Sequence, residues 1–216
     1  MAKSYDQYCP IAQALDAVGE RWSLLIVREL VEEGPQRYTD LLEGLQGCST
    51  NVLAARLRDL EAAGIVTRER LPPPAASTVY VLTDEGLRLR RALAELALWG
   101  ARRMGRPGPE LERGWLSGAL RSAIAPLAPS ARVAFVIDDD AVSLMDGGVE
   151  SGVAPGARAV LRGTAEGFYR ALVEGELGAL EIEGDADALV ELAGRLGARP
   201  VVDPDPQSVL TASPSA

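Results

Sequence analysis

A short run rich in glycine and proline, Gly105-Arg106-Pro107-Gly108-Pro109, most constrains how this chain can fold. Proline removes a backbone donor and glycine is costly inside a helix, so regular structure is not expected to continue through the run. The chain has 216 residues, which is enough for two small domains that each have a core. The run therefore predicts one domain over residues 1–105 and another over residues 106–197. A flexible tail rich in proline and serine is expected over residues 198–216.

Charge is distributed unevenly between the two halves. Residues 1–105 carry 13 basic and 14 acidic side chains, whereas residues 106–216 carry 9 basic and 17 acidic ones. These differences of −1 and −8 make up the net charge of −9. An acidic protein has little nonspecific affinity for nucleic acid. Any contact with DNA is therefore expected from the nearly neutral first half.

Scarce residue types exclude several classes of function. The chain contains no histidine, which excludes Ser-His-Asp and Cys-His catalysis and all histidine-ligated metal centres. Its two cysteines, Cys9 and Cys48, are too few for a four-cysteine zinc site. We therefore expect no enzyme, metal site or other cofactor, although an enzyme that uses only Asp, Glu and Tyr stays open. The N-terminus lacks a secretory pattern and no apolar run spans a membrane, so a cytoplasmic protein is expected.

The first half predicts four helices, a hairpin and a long helix. Apolar residues recur at helical spacing in segments that begin at Pro10, Trp22, Arg37 and Ser49. Two β-rich runs, 65–70 and 78–82, are separated by a segment with three prolines, which predicts a hairpin with a protruding tip. The final helix opens at Thr83 and has one apolar stripe. The stripe comprises Leu89, Leu93, Leu96, Gly100 and Met104.

This order of elements is typical of the winged helix-turn-helix topology. The fourth helix has the diameter to enter the major groove of double-stranded DNA, and a hairpin tip can reach the neighbouring backbone or minor groove. Winged helices also serve as protein-interaction modules, so both uses stay open from the pattern alone.

Several stretches of the first half resemble the HxlR-type (DUF24) winged-helix transcriptional regulators. They lie at residues 9–12, 15–30, 37–41, 53–66 and 80–83, together with Gly86. The resemblance covers residues 8–104 and implies a bacterial, cytoplasmic regulator that binds operator DNA as a homodimer. With dimerisation implied, the stripe that ends at Met104 is expected to contact the second subunit together with the segment around Tyr5 and Tyr8. The alternative is that this stripe packs inside its own subunit.

The fourth helix is expected to supply most of the DNA contacts. Leu53, Leu57 and Leu60 are predicted to face the core, which leaves polar and small positions for base edges and phosphates. Asn51 and Arg56 are the expected base readers, and the start of the third helix is expected to hold a phosphate. The predicted DNA-binding residues are Arg37, Tyr38, Thr39, Ser49, Thr50, Asn51, Ala55, Arg56, Arg58, Arg68 and Arg70.

Cys9 directly precedes Pro10 and matches the N-terminal cysteine that senses electrophiles or oxidants in several HxlR-type regulators. A helix N-terminus favours a reactive thiolate, so the position suits a redox-sensing residue. The alternative is a small residue kept for packing.

The second half predicts a smaller α+β domain with an antiparallel sheet. Helices are predicted near 110–125, 164–173 and 185–196, and strands near 131–137, 142–145, 158–161 and 179–183. The run Asp138-Asp139-Asp140 predicts a polar hairpin turn rather than a calcium loop.

Residues 136–146, 159–164, 175 and 180–189 resemble the sterol-carrier-protein (type 2) fold. That resemblance implies a tunnel for a small apolar ligand, although each candidate lining residue is alternatively part of an ordinary core. The candidates are Trp115, Leu116, Phe135, Leu144, Phe168, Tyr169 and Leu172.

These observations favour a two-domain transcriptional regulator whose affinity for DNA responds to a ligand or to modification of Cys9. The second hypothesis is a protein that binds lipids or small molecules and uses the winged helix for protein interaction.

Overall fold

The computed structural model describes residues 4–74, 76–107 and 114–196. The chain divides into two compact units between Leu93 and Ala94, inside the long helix and ahead of the glycine–proline run. The domain bounds drawn from that run stay a prediction. The predicted tail over 198–216 and the first residues of the helix predicted near 110–125 lie outside the described residues. No helix in the described part of the chain is both long and apolar enough to cross a membrane.

The N-terminal unit has the predicted helices and hairpin, and its last helix continues past the unit boundary at Leu93. The elements are α1 (Pro10–Val18), α2 (Ser23–Glu32), α3 (Tyr38–Gly44), α4 (Thr50–Ala62), β1 (Val66–Arg70), β2 (Thr78–Leu82) and α5 (Asp84–Ala101). β1 and β2 pair antiparallel from Val66 opposite Leu82 to Arg70 opposite Thr78. Residue Gln36 adds a bridge to Tyr80, with N···O distances of 3.1 and 2.7 Å. The bridge ties the start of α3 to the hairpin.

The stripe predicted on the last helix is only partly correct. Helix α5 ends at Ala101, where the Met104 amide donates to the Ala101 carbonyl and tightens the last turn. Met104 therefore lies beyond the helix. Leu89 and Leu93 pack against the N-terminal core, whereas Leu96 is exposed. The spacing in the sequence did not reveal that the stripe changes its surroundings along the helix.

The C-terminal unit is a five-stranded sheet with helices. Helix α6 (Trp115–Ala119) continues as a π-helical turn (Leu120–Ile124), and α7 (Ala165–Tyr169) continues likewise (Arg170–Glu174). The other elements are β3 (Arg132–Ile137), β4 (Asp140–Met145), β5 (Gly148–Ser151), β6 (Ala159–Gly163), a 3₁₀ turn (Leu177–Ala179), β7 (Glu181–Gly184) and α8 (Ala186–Arg195).

The expected antiparallel sheet is wrong in one pair. The strand order is β5-β4-β3-β6-β7, and central strand β3 runs parallel to β6 from Val133 opposite Ala159 to Ile137 opposite Gly163. The sheet is therefore mixed. Strand β5 was not predicted because it is a short polar edge strand with a single β-branched residue.

The turn predicted at Asp138-Asp139-Asp140 is confirmed between β3 and β4, where Ile137 pairs with Asp140. Asp138 has a left-handed backbone, with φ of +50°. Its Oδ2 accepts a hydrogen bond from the Ala165 amide at 2.9 Å, so this carboxylate helps to fix the start of α7. Across the described residues, no group of three or more Cys, Asp or Glu side chains is placed to hold a metal ion.

Candidate nucleic-acid interface

Helix α4 is anchored by one face and leaves the opposite face open. Leu53, Leu57 and Leu60 are buried in the N-terminal core, as predicted. Because successive residues of an α-helix rotate by about 100°, Asn51 and Arg58 lie on the side opposite these leucines. Both are exposed, and Ala55 between them is half-buried. The helix therefore presents a row of small and polar side chains that a DNA groove can accept.

The start of α4 is held in place by two hydrogen bonds. Ser49 is the N-cap, and its hydroxyl accepts from the Val52 amide at 3.4 Å. The Tyr38 hydroxyl donates to the Thr50 carbonyl at 2.6 Å, which connects the beginning of α3 to the beginning of α4. Ser49 and Thr50 are exposed beside this connection. Tyr38 therefore fixes the geometry between the two helices of the helix-turn-helix.

The start of α3 carries an acidic side chain beside the predicted phosphate contact. The Arg37 amide donates to Asp40 Oδ2 at 3.1 Å, and the Thr39 hydroxyl donates to Asp40 Oδ1 at 3.2 Å. The Arg37 guanidinium reaches instead to the hairpin, where Nε donates to Ser77 Oγ at 3.1 Å. A phosphate at this end would meet the exposed Arg37 head group together with a carboxylate.

The hairpin arginines differ in how they are paired. Arg68 makes a two-point ion pair with Glu61 of α4, at 3.0 and 2.8 Å, and this hydrogen-bonded carboxylate raises the pKa of Arg68 further above its ordinary value. Arg70, at the end of β1, is exposed and has no ion-pair partner within the described chain. Arg70 is thus the freer of the two for a phosphate near the hairpin tip.

Arg56, expected to read a base, lies on the flank of α4. Its Nη1 is 3.0 Å from Glu20 Oε2 and its Nη2 is 2.9 Å from Asp59 Oδ2. Base reading by Arg56 stays a prediction, but its guanidinium is engaged by two carboxylates in this structure. Val52, which is not among the predicted DNA-binding residues, is exposed beside Asn51. Its position one residue before the buried leucine row was the feature of the sequence that could have identified it as exposed.

The two cysteines lie in different surroundings, and both are free thiols. Cys9 is the N-cap residue of α1 and is half-buried. Cys48 is buried before α4, and this burial raises the pKa of its thiol. A raised pKa lowers the thiolate fraction at neutral pH, so Cys48 is a poor nucleophile as folded.

An apolar face remains open at the N-terminus. Tyr8, Ile11 and Leu15 recur at helical spacing on and just before α1, and all three are exposed, as is Tyr5. Ala12 and Val18 of the same helix are buried. The helix therefore has apolar side chains on both its inner and its outer face.

Residues 17–107 match the HxlR-like helix-turn-helix family. An uncharacterised HTH-type transcriptional regulator of Synechocystis is 38% identical over 93 residues, which are 43% of this chain and 68% of that protein. The chain belongs to the HxlR family. The HTH-type transcriptional regulator YodB of Bacillus subtilis is 35% identical over 92 residues, or 42% of this chain and 81% of YodB. Both relatives are named as HTH-type transcriptional regulators.

A crystal structure of quinone-bound YodB from B. subtilis is also similar to this HxlR-type chain. The aligned residues are 31% identical in sequence and make up 43% of this chain and 97% of the YodB chain, with a TM-score of 0.36.

Beyond the residues that match the HxlR family, the C-terminal unit contains a partly open apolar cavity of about 50 Å³. Of the predicted lining residues, Phe135, Phe168 and Leu172 line it. The prediction missed most of the wall, which comprises Ile124, Leu161, Ala171, Gly175, Leu180, Leu189, Leu192, Ala193 and Leu196. Helix α8 supplies Leu189, Leu192 and Ala193, and its apolar periodicity was the available signal.

The other four predicted lining residues lie outside the cavity wall. Leu116 and Leu144 are fully buried core residues. Trp115 packs edge-on against Phe168, with ring centroids 5.8 Å apart, and therefore supports the wall from behind. The Tyr169 hydroxyl donates to the Met104 carbonyl at 2.9 Å. A ligand contact by these four residues stays a prediction, because apolar character alone does not distinguish a cavity wall from a packed core.

Proposed function

We propose that this HxlR-type chain is a sequence-specific transcriptional regulator that binds operator DNA as a homodimer. The proposal is carried by the arrangement of side chains on α4. Three buried leucines hold this helix in place, and Asn51, Ala55 and Arg58 face outward. In the DNA complex, α4 lies in the major groove, and Arg70 at the hairpin approaches a backbone phosphate. The family membership of residues 17–107 supports this use of the winged helix.

The open apolar face on α1 supports the homodimer. Tyr8, Ile11 and Leu15 expose large apolar side chains, and covering them by a second copy removes this area from water. A two-fold dimer places its two recognition helices on one face of DNA, roughly 34 Å apart. The operator is therefore expected to contain two related half-sites about one helical turn apart.

The proposal is tested by titrating the protein against DNA upstream of its own gene, with competitor DNA in excess and at several salt concentrations. We expect binding to this DNA roughly 10³-fold or more tighter than to random DNA, with a steep loss of affinity as salt rises. Weak binding that is indifferent to sequence would contradict the proposal. That result would favour the alternative in which the winged helix is an interaction module.

Cys9 is proposed as a redox or electrophile input because it is the more accessible thiol and begins α1. Benzoquinone is the probe because the relative YodB is known in a quinone-bound form. We expect treatment to change operator affinity roughly 5- to 150-fold, the usual range of coupling between two sites.

Cys9→Ser is expected to abolish the response. Cys48→Ser is the matched control and should retain it, since burial raises the pKa of Cys48. An unchanged response in Cys9→Ser contradicts the assignment.

The apolar cavity is proposed to bind a small apolar ligand. Its volume of about 50 Å³ is far below the roughly 300–1,000 Å³ of ordinary ligand sites, so we expect the cavity to widen when a ligand binds. With 1-octanol as the probe, Ala193→Leu is expected to weaken binding about tenfold or more by filling the cavity, and Leu172→Ala to strengthen it.

Calorimetry measures these affinities, with Gly194→Ala as the control. A Cβ at Gly194 has no atom within 4 Å, so this substitution changes α8 without touching the cavity. Equal octanol binding by Ala193→Leu and Gly194→Ala would place the ligand elsewhere.

A further inference from the structure

The guanidinium of Arg56 is covered by two carboxylates that themselves face solvent. The side chain of Arg56 is only 19% exposed, whereas those of Glu20 and Asp59 are 69% and 53% exposed. We call these three residues the Arg56 clamp. The clamp hides a positive charge and displays negative ones beside the helix that is proposed to bind DNA.

The clamp connects two different elements. Asp59 lies one turn after Arg56 on α4, whereas Glu20 lies in the loop between α1 and α2. This loop has a constrained conformation, because Trp22, the N-cap residue of α2, has φ of +82°, a region that bulky side chains rarely adopt. Trp22 packs against the N-terminal core, which holds the loop close to α4. Glu20 is thus positioned by tertiary packing rather than by its own helix.

The direction of Arg56 on α4 decides what it can contact. It lies beside the buried row of Leu53 and Leu57, so it points along the flank of the helix rather than toward the centre of a groove. A side chain on this flank can reach a phosphate that borders the groove, provided that its guanidinium is released. While it is held, that phosphate meets the exposed Glu20 and Asp59 carboxylates instead.

We infer that Glu20 and Asp59 withhold Arg56 from the DNA backbone, and that release of Arg56 adds one phosphate contact to the operator complex. The inference rests on the proposed function. Glu20 and Asp59 are positioning residues, because they act on DNA affinity through Arg56. Because Glu20 and Asp59 face solvent, each of the two ion pairs is weak by itself, so the clamp lowers affinity by a limited factor and opens readily.

The test is an operator titration with the Glu20→Gln/Asp59→Asn double variant, which removes both charges and keeps the side-chain shapes. We expect the dissociation constant to fall about 3- to 10-fold. The slope of log affinity against log salt concentration should steepen by about 0.9, the value for one additional phosphate contact. The steepening should vanish when Arg56→Gln is added, because no cation remains to be released.

Two outcomes of this titration would overturn the inference. One is an unchanged salt slope in the double variant, and the other is a steepening that persists in the Arg56→Gln background. Glu85→Gln is the control, because it breaks an exposed ion pair with Arg88 at 3.1 Å on α5. It should leave the salt slope unchanged.

A second measurement, made without DNA, separates the clamp from the proposed function. Phenylglyoxal modifies accessible arginines, and mass spectrometry follows each site in the full chain. Arg56 should react several-fold more slowly than Arg58 of the same helix, and the double variant should remove this difference. Equal rates in the unaltered protein would overturn the clamp. Absence of specific operator binding by the unaltered protein would instead overturn the proposed function.

Discussion

Replacing Gly86 with alanine is expected to lower the free energy of unfolding by about 2 kcal/mol or more. Gly86 lies in the first turn of α5 and is buried against Ile65, in the segment between α4 and β1. A Cβ built there would be 2.2 Å from the Ile65 carbonyl oxygen and 3.1 Å from Leu82 Cδ2. Because the first neighbour is backbone, it cannot rotate away as a flexible side chain would. Either α5 or the start of the hairpin must shift.

The surrounding hydrogen bonds leave little freedom for that shift. The Thr83 amide donates to the Ile65 carbonyl at 3.0 Å, and the Thr83 hydroxyl lies 2.6 Å from the Gly64 carbonyl oxygen. The same hydroxyl accepts from the Gly86 amide at 3.0 Å. Moving Gly86 away from Ile65 therefore disturbs this network as well, and the loss of stability reflects both effects.

Gly100→Ala is the matched control for this prediction. Gly100 lies in the same helix, but a Cβ there would have no atom within 4 Å. Alanine should stabilise the helix by up to about 1 kcal/mol, since it has the higher helix propensity. Urea unfolding followed by circular dichroism measures both variants. Opposite signs are expected for the two substitutions, and equal stabilities would contradict the close approach at Gly86.

The double variant Asn51→Ala/Arg58→Gln is expected to weaken specific operator binding about 100-fold. A side chain that reads a base edge contributes about 1–3 kcal/mol of discrimination, and loss of one phosphate contact reduces the salt slope by about 1. Both side chains are exposed on the outer face of α4, and Arg58 has no carboxylate at ion-pair distance within the described chain. Their removal leaves the buried leucine row intact, so the fold should persist.

Salt-dependent titration against operator and random DNA checks this result. Arg88→Gln provides the control, because it removes one exposed arginine that pairs with Glu85 on α5, away from the recognition helix. It should change specific affinity by less than about threefold, as expected for a screened surface charge. Unchanged specificity in the Asn51→Ala/Arg58→Gln variant would show that α4 does not read the operator.

The sequence alone predicted the elements of the N-terminal unit well. The helical spacing of Leu53, Leu57 and Leu60 correctly identified the buried face of α4, and the prolines after β1 correctly placed the hairpin loop. These signals are local, because a periodic apolar row or a proline acts within a few residues of itself. The HxlR-type motifs predicted the family, and the match of residues 17–107 to the HxlR-like helix-turn-helix family confirms it.

The tertiary structure decided which surroundings each side chain has. Arg56 is separated from Glu20 by more than thirty positions, and only the packing of the α1–α2 loop against α4 makes them partners. The parallel pairing of β3 with β6 depends likewise on how the chain returns to the sheet, which an alternating pattern cannot encode. In the C-terminal unit, Phe135 lines the cavity whereas Leu144 is sealed in the core, although both occupy inward positions on strands. Sequence periodicity determines the face on which a residue lies, but the elements that arrive from distant parts of the chain determine what that face meets.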